Sequence, residues 1–418
     1  MTPFPCQPQD TSFFKLLKQT PQLDGRDNRG KHHCLALVIT GLTLALCCGR
    51  DGNLSSLHRH MGNHFDDLCR VLLLTNHRVV SRSQLPRLLA KVNGHVFAEL
   101  LFQRFGLVLT LEQQAWFAVD GKELRGSIEP GTKRGQVCVS VVAHQDEVIA
   151  GQAYYNGTKE SERPVVTQLL ADMGMHNQKI TLDALHLIPL TVKTIHQERG
   201  LYLVGLKANQ QILYRSWVGS SSVKVADYER TDKPERGHGR IDQRSYSCFA
   251  MNRHPLAPRW QATGMQTLVR VVRVRQTLTG VESSRETSYF VSNALVGQQW
   301  QADELFDAVR QHWRIETMHH RRDVSLREDR FRSSQAAVSR LLSSLRSIVL
   351  NVLGQDKVKN MVARIEEFAD KFHVLLQFMT LKNVLRESPV YIYKQGGSKC
   401  LIVRFLTKKY NISIYFIK

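Results

Sequence analysis

A chain of 418 residues has room for two or three domains with sizeable cores, and 42% hydrophobic with 22% charged residues excludes a disordered or low-complexity protein. Its 57 Lys and Arg against 37 Asp and Glu leave a formal charge of +20, which favours polyanions, nucleic acid above all, over neutral small molecules. An anionic membrane is the competing partner, but the sequence shows no basic amphipathic anchor and no lipidation signal.

The eight cysteines form no CxxC pair, so neither a zinc ribbon nor a redox dithiol is suggested, and several sit in apolar runs as free buried thiols do. The start lacks the charged and apolar regions of a signal peptide. The apolar run Cys34–Cys48 falls short of the ~20 residues a membrane span needs. These features predict a cytoplasmic protein with no membrane partner.

In chain order, residues 1–20 read as a flexible arm and 21–110 as a helical domain. Its elements are a buried helix over Cys34–Cys48, a helical segment His58–Leu74, and a helix capped by Ser81 or Ser83 that buries Leu85, Leu88 and Leu89. Arg82, Arg87 and Lys91 make that last segment a candidate DNA reader, although solvated cations on a helix are the commoner case. His58, His60 and His64 lack a Cys or acidic partner at helical spacing and read as surface histidines.

From residue 111 the period changes. Trp116–Val119 is an apolar β-forming run that stops on Asp120 and Gly121, and Lys122, Arg125 and Ser127 follow in what reads as a loop suited to an anion. Runs at Val137–Ala143 and Val148–Tyr155 continue an antiparallel meander. A helix opens at Ser161 or Glu162 and buries Val165, Leu169, Leu170 and Met173. A second apolar strand then ends on a carboxylate, Asp183, followed by a helix over Leu190–Arg199 and a strand over Leu201–Lys207. Three antiparallel strands followed by helix, strand, helix, strand is the order of a ribonuclease-H-like α/β fold, in which Asp120 and Asp183 fall on strands able to neighbour each other.

Residues 211–294 read as a β-rich insertion. Arg270, Arg273 and Arg275 interrupt a valine run there, and acidic partners look sparse, which suits a phosphate backbone better than a salt-bridged surface. Helical period returns from Ala302, and 295–354 rejoins the catalytic fold. On a continuous helix His312, Glu316, His320 and Asp323 share one face, so Glu316 is placed to complete a carboxylate cluster. Glu316 with His319 or His320 as a metal-ligand pair is a weaker alternative. Residues 355–418 form a tail to which no role attaches.

Together these stretches resemble the DDE transposases of bacterial insertion sequences, in the branch of the H-repeat-associated proteins. The likeness runs from about Asp24 to Gly354. It is carried by FAVDGKELRGS, ITLDALH, LKANQ, GHGRIDQR, HWRIE and REDRFR, and by the N-terminal stretches DGRDNRGKHH and GRDGNLSSLHRH. The resemblance implies a catalytic, metal-binding triad of Asp120, Asp183 and Glu316 holding two Mg²⁺ ions, with Mn²⁺ as a substitute. It further implies double-stranded DNA partners (the element's terminal inverted repeats and the target), a homodimer in the DNA complex, and a bacterial, nucleoid-associated location. Candidate DNA contacts are Lys122, Arg125, Lys207, Asn209, His238, Arg240, Arg270, Arg273 and Arg314.

The chemistry implied is water attack on a phosphodiester followed by attack of the freed 3′-hydroxyl on target DNA. Metal ions ~4 Å apart would activate the attacking oxygen and stabilise the leaving one, and Mg²⁺ prefers oxygen ligands. Leu187-Ile188-Pro189 after DALH, Thr317 and His319–His320 after the glutamate, and the Lys- and Tyr-rich end depart from the family pattern. A decayed relative that only occupies element ends is the alternative; a two-carboxylate glycoside hydrolase sits poorly with the +20 charge.

Overall fold

The computed structural model describes residues 11–50, 52–105, 114–157, 162–175, 177–237, 239–251, 254–333, 335–354 and 360–385, and for the backbone alone 390–395, 398–403 and 416–417. The chain divides into two units: 94–358 with 1–8 and 51–53, and 9–50 with 54–93 and 359–418. The boundaries therefore differ from the sequence-based ones, since the tail clusters with the N-terminal helices and Gly94–Phe105 leaves them.

In the helical unit, Ser12 caps α1 (Phe13–Gln19) by accepting from the Lys15 amide. Every residue of α2 (Leu35–Cys47) is buried, as its unbroken apolar composition predicts. The segment expected at His58–Leu74 is two helices, α3 (Leu54–Asn63) and α4 (Phe65–Val71), because Gly62 and Asn63 are poor helix formers at the junction. Its histidines are all engaged, His58 and His64 keeping partial exposure. His58 Nε2 lies 2.7 Å from the Val80 carbonyl, His60 is buried, and the His64 ring stacks on Phe372 with centroids 3.8 Å apart. The single-turn helix α5 (Leu85–Leu89) follows a turn in which Ser81 Oγ accepts from the Gln84 amide, and it buries the three leucines expected.

The other unit opens with α6 (Gly94–Phe105). Strands β1 (Trp116–Leu124), β2 (Gln136–Ala143) and β3 (Ile149–Asn156) form the antiparallel meander. Next come α7 (Glu162–Asp172), β4 (Lys179–Leu182), α8 (Pro189–Gln197) and β5 (Leu201–Leu206), with β4 parallel to β1 and β5 parallel to β4. The buried face of α7 is Val166, Leu169 and Leu170; Val165 and Met173 are only half-buried. The segment expected as a β-insertion starts instead with a helix, α9 (Gln211–Val223). Strands β6 (Tyr228–Thr231), β7 (Glu235–Gly237), β8 (Arg240–Ala250), β9 (Thr267–Thr277) and β10 (Glu282–Ser292) follow.

These strands do not form a separate sheet. β10 pairs antiparallel with β5, giving among the described residues one ten-stranded sheet ordered β3-β2-β1-β4-β5-β10-β9-β8-β6, with β7 on β8. On one face Phe117, Val119, Val139, Ile180 and Val204 pack with Leu170, Val192 and Trp217 from α7, α8 and α9. On the other, Leu203, Tyr246 and Val269 meet Leu305, Phe306 and Val309 of α10 (Gln299–His312). A break at Trp313 separates α10 from α11 (Arg314–Val324), so the continuous helix expected through His312 and Glu316 does not exist.

Helix α12 (Ala336–Gly354) packs on β2 and β3 as well as on α6, which is why α6 belongs to this unit. Asn351 fixes it by bonding both the amide and the carbonyl of Ile149. It is long and apolar enough to cross a membrane, but its residues are mostly buried in the protein. In the helical unit, α13 (Met361–Asp370) packs on α2 and on α14 (Phe372–Leu381), and the backbone of β11 (Val390–Gln395), β12 (Ser398–Val403) and β13 (Phe416–Ile417) forms a small antiparallel sheet.

Candidate functional site

The parallel pairing of β1 with β4 ends at Val119↔Leu182; Asp120 is the next residue of β1 and Asp183 the first residue past the end of β4. Neighbouring strands run ~4.8 Å apart, so the register alone sets the two aspartates side by side. Asp120 is inside β1, opposite Ser140 of β2, rather than at its end as the sequence suggested. The cause is that DGKEL continues to pair with β2 up to Leu124↔Gln136. Asp183 caps the turn Ala184–His186, one carboxylate oxygen accepting from the Leu185 amide at 2.8 Å.

Burial, reinforced by the charges of Asp183 and then Glu162, pushes the Asp120 carboxyl up to about 7. From α11, His319 reaches Asp120, Nδ1 to Oδ2 3.7 Å. Burial takes that imidazole down to about 3, so it is neutral and leaves the carboxylate's charge uncompensated. Behind the pair, Thr181 receives two more neutral imidazoles, His144 Nε2 at 3.0 Å and His312 Nδ1 at 2.9 Å, which burial lowers to about 3 and about 4.

Glu316 stands on the exposed side of α11. Its carboxyl is held above the ordinary range by partial desolvation, against the pull of Lys207. Among the described residues no hydrogen bond or ion pair joins it to Asp120 or Asp183, and no three His, Cys, Asp or Glu side chains are gathered to hold a metal ion by themselves. Two adjacent carboxylates still suit Mg²⁺, which keeps several waters and is commonly held by one or two carboxylates together with substrate phosphate.

Several expected phosphate contacts are occupied. Lys122 is 9% exposed and lies in β1, bound to Asp323 at 2.8 Å, Asp329 at 3.2 Å and Glu328 at 3.3 Å. Arg322, fully buried, completes this cluster through Glu328 at 2.6 Å. Arg314 spends its guanidinium on the carbonyls of His144 and Gln145. Asn209 donates to the Ala184 carbonyl at 2.7 Å and so steadies the Asp183 turn. Lys207 and Arg125 are exposed, Arg125 lying 3.7 Å from Asp329.

In the outer sheet, Arg240 and Arg273 both bond Asp242, Arg275 bonds Glu286, and Arg270 bonds the Ser247 hydroxyl over the Phe249 ring. The acidic partners that looked sparse are supplied across the strands. His238 lies outside the described residues. In the helical unit, by contrast, Ser55, His58, Arg59, Gly62, Asn63 and Arg82 line an open hollow of about 330 Å³. Arg59, Arg82 and Arg87 are exposed and have no side-chain partner among the described residues.

Sequence reading missed Glu162, which it treated only as a helix opener. Its carboxylate accepts from His186 Nε2 at 2.9 Å and from the Tyr155 hydroxyl at 2.9 Å. The His three residues after Asp183 was a signal available in ITLDALH, but nothing in the sequence tied it to Glu162.

A sheet of this order, with β1 parallel to β4 and aspartates at adjacent positions on them, defines a ribonuclease-H-like transposase domain. The family described as "Transposase DDE domain" matches residues 113–352, and the chain belongs to that family. It is 26% identical over 248 residues to YbfL of Escherichia coli K12 (58% of this chain, 64% of that one). Over the same length and with the same coverage it is 25% identical to that strain's "H repeat-associated putative transposase YhhI". To the "Putative transposase YncI" of E. coli O157:H7 it is 24% identical over 276 residues (64% and 69%). The chain thus spans just under two thirds of the length of the first two relatives.

Proposed function

We propose that the protein binds the ends of a DNA element and cleaves and joins DNA strands there, with Asp120, Asp183 and Glu316 as its catalytic carboxylates. The observation that carries this reading is the side-by-side register of Asp120 and Asp183 with an Asp120 carboxyl driven to about 7. Such a pair attracts a divalent cation, and the +20 chain attracts the phosphodiester.

Asp120 and Asp183 would hold the metal, with Glu316 joining from α11. When bound, Mg²⁺ lowers the pKa of an attacking water and stabilises charge on the leaving oxygen. The protein's own part is to hold the two aspartates in register and to keep His144, His312 and His319 neutral behind them. Lys207 is the exposed cation closest in effect to Glu316 and is suited to a DNA phosphate beside it.

The test is cleavage of duplexes ending in the inverted repeats that flank the coding sequence, with Mg²⁺ and then Mn²⁺. Asp120→Asn, Asp183→Asn and Glu316→Gln should each abolish cleavage and largely spare DNA binding. Near-normal metal-dependent cleavage by any one removes that residue from the triad. A parent protein that binds the ends but never cuts them supports the end-occupying relative instead.

A further inference from the structure

Strand alternation turns Asp120 and Lys122 toward α11, where they meet His319 and Asp323, and turns Gly121 to the opposite face. There the Glu162 carboxylate fills the space where a side chain would begin. A Cβ on Gly121 would lie 2.5 Å from Glu162 Oε2 and 2.6 Å from Cδ. Glu162 is itself 7% exposed, an expensive place for a carboxylate unless it is held.

Among the described residues, two donors from different elements hold it. Tyr155 comes from β3, with a phenol that burial and Glu162 push upward, so it remains a donor. His186 comes from the turn that begins at Asp183 and is fully buried. One side chain from α7 therefore meets the backbone of β1 immediately after Asp120, the end of β3, and the turn that presents Asp183. A bare glycine after the first aspartate is what admits it.

We infer that Glu162 is a positioning residue of the acidic pair: seated on Gly121 and tied to His186, it fixes the spacing of Asp120 and Asp183 from behind the strand and adds a negative charge that strengthens their hold on a divalent cation. This inference rests on the reading of Asp120 and Asp183 as metal ligands. It makes Glu162 neither a ligand nor a group that touches DNA, since the strand separates it from the face on which Asp120 lies.

The test uses the full chain without DNA and reads Mn²⁺ binding by titration, with circular dichroism and melting as controls. Glu162→Gln keeps the shape and removes the charge, and it turns one of the two acceptor oxygens into a donor, so the hydrogen bond to His186 or to Tyr155 is weakened. It should keep the parent's circular dichroism yet bind Mn²⁺ at least ~10-fold more weakly, the scale of loss when a group supporting a metal ligand is changed. Gly121→Ala should lose both Mn²⁺ binding and cleavage. Gly121→Ala combined with Glu162→Ala should recover part of both relative to Gly121→Ala alone, because the obstructing carboxylate is gone.

Unchanged Mn²⁺ affinity in Glu162→Gln, or parent-like behaviour of Gly121→Ala, overturns the inference. If Gly121→Ala fails to fold, the Glu162→Gln titration still decides. A parent protein that does not bind Mn²⁺ brings down the reading of the acidic pair itself, a different result from a parent that binds and a Glu162→Gln variant that binds equally.

Discussion

Asp120 and Lys122 stand two residues apart on the same face of one strand, and their surroundings are opposites. Lys122 is enclosed by Asp323, Glu328 and Asp329, with Arg322 on Glu328 and Arg125 near Asp329, so three cations meet three carboxylates. Asp120 faces Asp183, feels Glu162 through the strand, and has a neutral imidazole where a cation would be expected. Compensated charge ties β1 to α11 and to the turn at Glu328; uncompensated charge is left for something outside the chain. The same contrast recurs among the arginines. Arg240, Arg270, Arg273 and Arg275 of the outer strands are engaged within the protein, whereas Arg59, Arg82 and Arg87 of the helical unit have no side-chain partner among the described residues. Under the proposed function, unspent cations rather than cationic content mark the surface offered to DNA.

The largest effect that could break the contrast is on catalysis. Asp120→Asn should reduce strand cleavage by on the order of 10³-fold or more, as loss of metal-based charge stabilisation implies, while raising the melting temperature of the metal-free protein. A lower melting temperature would mean that Asp120 is compensated after all.

Lys122→Met should do the reverse to stability. Leaving Glu328 and its neighbours without their lysine costs roughly 3–5 kcal/mol, the range for breaking a buried ion pair. Denaturant unfolding measures this, and a loss under ~1 kcal/mol, typical of exposed pairs, would place Lys122 among surface ion pairs.

The pH dependence sharpens the comparison further. Burial lowers His60 and His312 to about 4 and His144 and His319 to about 3. The unfolded chain therefore takes up protons below 6.5 that the fold refuses, so stability is full above 6.5 and is lost on acidification toward 4. Asp120 acts in the opposite sense. Its raised carboxyl contributes stability below about 4 that is lost as pH rises through about 7. The stability gain of Asp120→Asn over the parent should thus grow between pH 4 and pH 7, and a gain that is flat with pH counts against the acidic pair.

The smallest effect concerns DNA. Arg59→Ala with Arg82→Ala should flatten the log–log salt dependence of binding by about 0.9 for each phosphate no longer neutralised. Arg270→Ala with Arg273→Ala should leave the slope nearly unchanged. If the outer-sheet pair moves the slope and the helical pair does not, the engaged arginines exchange their partners for phosphate.

The register of the site was legible because strands and their ends are written in local pattern: WFAV and KITL each run apolar into an aspartate. The buried helix at Cys34–Cys48 and the leucines of α5 were legible for the same reason. What escaped depends on non-local pairing. Lys122 looked like a loop cation because nothing near it in sequence announces Asp323 or Glu328, and acidic partners for Arg273 looked sparse until β8 and β9 aligned it with Asp242. The break at Trp313 also escaped, since helical periodicity runs through it without a glycine or proline. Glu162 was invisible because its role lies in what Gly121 lacks.

The continuity of β5 with β10 gives the molecule a built-in ruler. From β1 to β8 there are five inter-strand steps, which at ~4.8 Å each span roughly 24 Å. Duplex DNA advances about 3.4 Å per base pair, so that span corresponds to about seven base pairs. A duplex crossing the strands would therefore pass over β8 some seven base pairs from the bond at the acidic pair, where the engaged arginines should leave it open to a footprinting reagent. Because the sheet is one hydrogen-bonded ladder, that interval is set by backbone geometry and should not change with the sequence of the element end.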